Sequence, residues 1–264
     1  GVDLSSEEAV DAYLESLSIF KLGTVGGNSS CVELVTDNEL FIFDAGSGIR
    51  ELGLELMKRE FGKGQGAANI FFGHTHWDHI MGLPFFIPLY VPGNKITFRG
   101  CHDRLEQRIR EQQLPDHFPV SLDIMAAQKE FVEMKTLEKY EIGDTVVTPF
   151  PLSHPGLAFG YRVECGGKVF IYATDTEFKA TSEKDTEPIR DADVMVLDTM
   201  YTFDDVLAKT DWGHCSPFIG VDIAQAENIK KLVLFHHEPT YLDADLEKML
   251  KKTLNYKERM YPDS

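Results

Sequence analysis

The sequence predicts an α/β fold that builds one site along the rim of its sheets. Two observations carry this prediction. Apolar runs of strand length alternate with stretches of helical spacing along the 264 residues. The strands also end repeatedly in a residue able to bind a metal: His74, His154, Asp175, Asp198 and His236. Strand ends from separate parts of a sheet meet at one edge, where α/β folds place their ligands.

The elements follow in order. Ser5-Ser-Glu-Glu8 offers a capping box, and Val10, Tyr13, Leu14 and Leu17 then fall at helical spacing, giving a short amphipathic helix suited to packing or a dimer contact. Ser18 to Thr24 reads as a strand, and Gly26 to Ser30 as a loop. Cys31 to Val35 and Leu40 to Phe43 read as a hairpin turned at Asp37-Asn38. Asp44-Ala-Gly-Ser-Gly48 then opens a helix over about Ile49 to Phe61. Asp44 is equally a turn-former or a partner to a metal-bound histidine. Ile70 to Gly73 is a buried strand, and Gly82 to Tyr90 an irregular apolar segment broken by prolines. Ile96 to Arg99 is a strand and Asp103 to Gln113 a polar helix. Residues 102–127 have the least core-like pattern, and His117-Phe118 between two prolines suggests a lid. Further strands fall at Phe131 to Met134, Thr145 to Phe150, Leu157 to Glu164, Lys168 to Thr174, Ala192 to Leu197 and Lys231 to Phe235. The third and fourth of these pair as a hairpin across Cys165-Gly-Gly167. Asp245 to Tyr261 is a charged C-terminal helix.

Composition bounds the function. With 43% hydrophobic residues the chain can bury a sizeable core. A net charge of −17, from 43 acidic and 26 basic residues, opposes binding a nucleic-acid polymer through its phosphates. A small anionic ligand stays open, because bound cations supply local positive charge. The four cysteines form no CxxC pair, so neither a zinc finger nor a disulfide framework is expected. No signal peptide and no membrane span are read, which leaves the cytoplasm as the expected location.

The stretch His74-Thr-His-Trp-Asp-His79 is the densest signal. It packs His74, His76, Asp78 and His79 directly behind an apolar strand, so several N and O ligands enter one small volume. Neutral imidazole suits zinc and its first-row neighbours, and a carboxylate completes such a shell.

This motif, the isolated His154, Asp175 within Ala-Thr-Asp-Thr, and His236 on the final strand together resemble the metallo-β-lactamase superfamily. The resemblance spans nearly the whole chain, from Gly23-Thr24 onward. It implies one domain over residues 1–264 with a four-layer αββα sandwich. It also implies two divalent ions at one edge of the sheets, zinc expected, manganese and iron the alternatives. His74, His76 and His154 would hold the first ion and Asp78, His79 and His236 the second, with Asp175 bridging; His236 is preferred to His237 because it directly follows the apolar strand. Asp44 matches a carboxylate that supports a ligand from behind.

Asp198-Thr-Met-Tyr-Thr and Trp212-Gly-His-Cys-Ser216 resemble the phosphodiesterase branch, which includes ribonuclease Z. There His214 would protonate the leaving oxygen, Asp198 would orient it, and Asp78 would count among the catalytic residues. Cys215 departs from the branch's usual hydroxyl residue, and a helix-capping role for His214 is the alternative. No arm of the ribonuclease Z kind stands out in 100–145. The strings Gly-Asn-Ser-Ser-Cys, His-Trp-Asp-His, Phe-Pro-Val and Leu-Phe-His-His-Glu-Pro resemble bacterial and phage cyclic-nucleotide phosphodiesterases, the anti-Pycsar enzymes among them. The expected substrate is therefore a small anionic phosphodiester, a 3′,5′-cyclic nucleotide first. Expected partners include no nucleic-acid polymer and no membrane, and a second copy of the chain in a homodimer. The other readings are a different small phosphodiester, tRNA 3′ processing, and a metal-binding ligand sensor.

Overall fold

The computed structural model describes residues 2–178 and 186–262. In chain order the elements are α1 (Glu7–Glu15), α2 (Ile19–Leu22), β1 (Val32–Val35), β2 (Leu40–Phe43), α3 (Gly48–Met57), β3 (Ala67–Phe72), α4 (Trp77–Ile80), β4 (Lys95–Gly100), α5 (Leu105–Gln112), β5 (Gln128–Glu133), β6 (Tyr140–Ile142), β7 (Thr145–Leu152), β8 (Ala158–Cys165), β9 (Lys168–Ala173), β10 (Val194–Asp198), α6 (Phe203–Ala208), α7 (Pro217–Ala226), β11 (Leu232–Phe235) and α8 (Asp243–Met260). One sheet runs β1-β2-β3-β4-β5 and the other β11-β10-β9-β8-β7-β6.

Side-chain alternation along the central strands explains why two sheets stack. Phe41 and Phe43 of β2 and Phe71 of β3 meet Val147, Tyr161, Val163, Tyr172 and Val196 of the second sheet in one buried cluster. The intervening residues Ile42, Ile70 and Phe72 point the other way, onto Ile49 and Leu56 of α3 and Leu105 and Ile109 of α5. On the far side Ile171, Ala173, Met195 and Leu197 pack on Ile223 of α7. Both faces of each central strand are covered, so these strands read as unbroken apolar runs. The result is the helix–sheet–sheet–helix sandwich that the resemblance implies. Phe43 stacks on Tyr172 across the interface with centroids 5.1 Å apart. The buried Tyr161 hydroxyl donates to the Phe72 carbonyl at 2.6 Å, so it is not stranded between the sheets.

Direction places the site. β2, β3 and β4 are mutually parallel, as are β9, β10 and β11. β7 is antiparallel to β8 and β8 to β9, so β7 runs the way β9 does. The C-terminal ends of β2, β3, β7, β9, β10 and β11 are followed by, or end in, Asp44, His74, His154, Asp175, Asp198 and His236. Hairpin turns hold this register. β8 and β9 pair Cys165 with Lys168 across Gly166 and Gly167, both at positive φ as a two-residue turn requires.

Three expectations change. Residues 19–22 are a helical turn and not a strand, and Leu22 and Ile19 stay exposed. The apolar run is too short to pair as a strand, and with Ser18 at its N-cap position it closes into one helical turn. A short strand, β6, pairs with β7 where the sequence shows no strand signal. Residues 105–112 belong to the core and not to a covering segment. A parallel β4–β5 pair needs a crossover, and α5 supplies it by burying Leu105 and Ile109. Among the described residues, no helix is long and apolar enough to cross a membrane.

Candidate metal centre

The six strand ends converge. His74, His76 and His154 offer ligand nitrogens that all lie within 4.8 Å of one another, and so do the ligand atoms of Asp78, His79, Asp175 and His236. Asp175 sits between the two groups with one oxygen toward each. Its Oδ1 is 3.1 Å from His79 Nε2 and 3.3 Å from His236 Nε2, while its Oδ2 is 3.5 Å from His74 Nε2 and 3.9 Å from His154 Nε2. Asp78 Oδ2 lies 3.1 Å from His79 Nε2 and 3.2 Å from His236 Nε2.

Local backbone explains how these side chains are delivered. β3 ends at Phe72, and the extended His76 then starts α4, whose single turn brings Asp78 and His79 back beside His74. Asp44, Asp175 and His236 all have positive φ, near 60°, 55° and 58°. Each strand therefore breaks sharply at its functional residue, which turns the side chain across the rim instead of along it. Left-handed backbone is tolerated by Asp and His better than by most residues, and it costs energy that the surrounding packing must supply.

Second partners fix the ligand tautomers. His79 Nδ1 donates to Asp44 Oδ2 at 2.7 Å, which leaves Nε2 facing the cluster. Asp44 is itself held by the Gly73 amide at 2.7 Å and by the buried Tyr172 hydroxyl at 2.7 Å. His154 Nδ1 donates to the Gly213 carbonyl at 3.0 Å, which leaves its Nε2 facing the cluster, 3.4 Å from His76 Nδ1. Gly213 is required there: its φ is +83°, and a Cβ would stand 2.4 Å from His154 Nδ1.

The electrostatics are those of a cluster prepared for cations. Burial, then the neighbouring imidazole of His79, pushes His74 down to about 2, so it is neutral. Burial alone would lower His79 and His236, but the carboxylates around them together outweigh it: Asp175 and Asp44 hold His79 well above its ordinary value, and Asp175, Asp78 and Asp198 raise His236 to about 9. Burial would raise Asp175 and Asp78, yet His79 and His236 hold both carboxyls well below the usual range. Both nitrogens of His74 and Nε2 of His79 are buried without a hydrogen-bond partner. Buried imidazole nitrogens gathered beside ionised carboxylates fit a divalent ion, which binds both kinds of donor atom once the imidazoles have given up their protons.

A second constellation borders the first. Asp198 is fully buried, and its oxygens accept from the Thr176 amide at 3.2 Å and the Met200 amide at 2.9 Å. Its Oδ2 takes a hydrogen bond from His214 Nδ1 at 2.7 Å. The His214 ring stacks on His236 at 5.2 Å and lies 5.2 Å from that of His154. The helix cap after His214 is Ser216, whose hydroxyl accepts from Ile219, so His214 is not the capping residue.

All ten residues singled out from the sequence, Asp44 among them, therefore stand around one rim. His237 stays outside the cluster and lies under Gly26. The sequence reading passed over Tyr172, Gly213 and Thr176. Only Gly213 left a trace, a glycine directly before His214; the others act through a hydroxyl or backbone atoms that carry no sequence signature.

The fold and this His/Asp rim define a metal-dependent hydrolase. The sequence profile of the Beta-lactamase superfamily domain matches residues 40–237. The chain belongs to the metallo-β-lactamase superfamily. Among its relatives, Ribonuclease Z of Staphylococcus carnosus is 26% identical over 246 residues, which cover 85% of this chain and 74% of the relative. Human tRNase Z, short form (ELAC1), superposes with a TM-score of 0.61 at 21% identity, covering 82% and 88% of the two chains. Unliganded yeast PDE1 gives 0.66 at 13% identity, covering 90% and 92%, so these two structures share the fold.

Proposed function

We propose that the protein is a phosphodiesterase that holds two divalent ions and opens 3′,5′-cyclic nucleotides to nucleoside monophosphates. His74, His76 and His154 would hold one ion and Asp78, His79 and His236 the other, with Asp175 shared. When bound, such ions neutralise charge on the phosphate oxygens and lower the pKa of a water between them. The all-imidazole first set and zinc's preference for nitrogen favour zinc, with manganese and iron as alternatives.

The observation that carries the reaction class is the pair Asp198–His214 set directly against the cluster. Asp198, fixed by two backbone amides, holds His214 Nδ1–H and aims Nε2 at the space beside His154 and His236. From there His214 gives its proton to the leaving oxygen, which an alkoxide needs and an activated leaving group does not. Positioned proton donation of this kind contributes about 10²–10⁴ in rate. A thioester or lactone hydrolase has less use for it.

The ribonuclease Z relatives favour a second reading, cleavage of an RNA phosphodiester. The net charge of −17 weighs against a polymer, whose binding scales with the phosphates neutralised by Lys and Arg. All four cysteines are unpaired, which supports a reducing, cytoplasmic setting. The exposed Tyr13, Leu14, Ile19 and Leu22 of the N-terminal helices support a homodimer.

The test is a screen of zinc- or manganese-loaded protein on cAMP, cGMP, cCMP and cUMP, with bis-p-nitrophenyl phosphate as an activated control and a tRNA precursor as competitor. Ring opening that a chelator abolishes is expected. Cleavage of the precursor with all four cyclic nucleotides intact would move the assignment to RNA. Bound metal with no phosphodiester turned over would make the protein a sensor.

A further inference from the structure

The two flanks of the centre differ in chemistry. Beside His154 one recess is lined by Leu152, Ser153, Pro155, Glu177, Asp211 and Gly213. On the other side, against the back of the His74–His79 loop, a recess of about 280 Å³ is lined by Thr75, Trp77, Arg108, Glu111, Gln112 and His117. That volume lies near the lower bound of about 300 Å³ for ligand pockets, so it suits one ring system and not a whole nucleotide.

We propose that this second recess is the nucleobase subsite of the enzyme. The proposal rests on the cyclic-nucleotide reading above and specifies how that substrate is held. Three observations carry it. First, Trp77 sits between His76 and Asp78 yet is 61% exposed, with the ring of His117 standing edge-on to it at 6.5 Å. An exposed indole one residue from two candidate metal ligands offers a stacking platform for the base of a substrate whose phosphate lies on the cluster. Second, the polar groups mix signs. Arg108 is tied to the loop through Thr75 Oγ1 at 3.3 Å and braced by Asp103, and Glu111 stands in the same wall, held by Gln107. A phosphate would meet the Glu111 carboxylate. A neutral, planar ring bearing both N–H donors and ring acceptors is matched by a guanidinium and a carboxylate together. Third, the wall is held in place: Gln112, only 6% exposed, donates from Nε2 to the Ile80 carbonyl at 2.6 Å and so ties α5 to α4, the helix that carries Trp77. A recess preformed in this way spares a ligand the cost of ordering it.

The phosphate would thus lie on the cluster and the base on Trp77. The substrate's orientation follows from charge: the anion is drawn to the cations, which leaves the neutral base for the recess.

The experiment compares Trp77→Ala, Trp77→Phe and Arg108→Gln with the parent, each metal-loaded and checked for metal content. Substrates are the four cyclic nucleotides and methyl p-nitrophenyl phosphate, which has no base. Loss of stacking should lower kcat/KM on a cyclic nucleotide about tenfold to a hundredfold relative to methyl p-nitrophenyl phosphate, mostly through KM. Trp77→Phe should restore most of that ratio, and Arg108→Gln, which lies outside the metal loop, should lower it independently. A parent active on cyclic nucleotides whose ratio is unchanged in Trp77→Ala and Arg108→Gln overturns the subsite and leaves the phosphodiesterase reading intact. A parent that turns over methyl p-nitrophenyl phosphate and none of the four nucleotides overturns both.

Discussion

The two halves of the centre are built from different chemistry. His74, His76 and His154 form an all-imidazole set, and burial keeps His74 neutral. Asp78, His79 and His236 form a mixed set in which carboxylates hold the two imidazoles protonated. The first half is ready for a cation as it stands. The second keeps protons in the cation's place, and a metal must displace them. Asp175 belongs to both, one oxygen to each. Charge distribution, more than ligand count, separates the two.

The largest effect should come from removing what the halves share. Asp175→Ala is expected to strip metal from both and to reduce turnover by about 10³-fold or more, the several kcal/mol of transition-state stabilisation that bound ions supply. Metal analysis of the purified variant decides it; a full complement of metal would show that the halves are independent. Next in size, His214→Ala should keep both metals and lose about 10²–10⁴ in rate on a cyclic nucleotide, with a much smaller loss on bis-p-nitrophenyl phosphate. Equal losses on the two substrates would remove the proton-donor role.

Asp44→Asn isolates the mixed half. Asparagine also tolerates the positive φ, but it cannot hold the His79 tautomer as a carboxylate does, so metal affinity there should fall about 10- to 100-fold while the imidazole half keeps its ion. Competitive titration with a chromophoric chelator resolves one weakened site from two. The same titration against pH tests the charge difference. His236 holds its proton below about 9 and His79 is held well above its ordinary value, so affinity of the mixed half should rise between neutrality and about 9 by up to about a hundredfold per pH unit, one decade for each displaced proton, and less steeply once His236 has lost its own. The imidazole half, with His74 already neutral, should show the weaker dependence. Two parallel profiles would contradict the assignment. The smallest effect is expected for Gly213→Ala. A residue with a Cβ at φ +83° costs about 1–2 kcal/mol. The added carbon also crowds His154 Nδ1, so a Tm lower by several degrees should accompany weaker binding in the imidazole half. Unchanged metal affinity alongside the lower Tm would separate strain from ligand placement.

Much of this molecule is written locally. Strand alternation at residues 41–43 and 70–72 names both faces of one sheet, and residues 170–173 and 194–197 do so for the other. The His74–His79 stretch carries four ligand types in six positions, so it is visible without any neighbour. The short elements are less legible. Residues 19–22 and 140–142 hold too few side chains for a period to show, and packing or pairing decides them. Residues 105–112 look polar because a crossover helix buries only one stripe.

The sequence by itself determined the layers, the ligand types and their order along the chain. Only the tertiary structure decided that Asp175 faces both halves, that Asp44 is braced by Tyr172, and that Trp77 shares a wall with Arg108. The reason is physical. Periodicity and residue chemistry act over a few positions, whereas bridging, bracing and recess walls join atoms from separate elements, as far apart in the chain as Asp44 and Tyr172, 128 positions distant. Burial then sets their charges, and no local stretch contains that information.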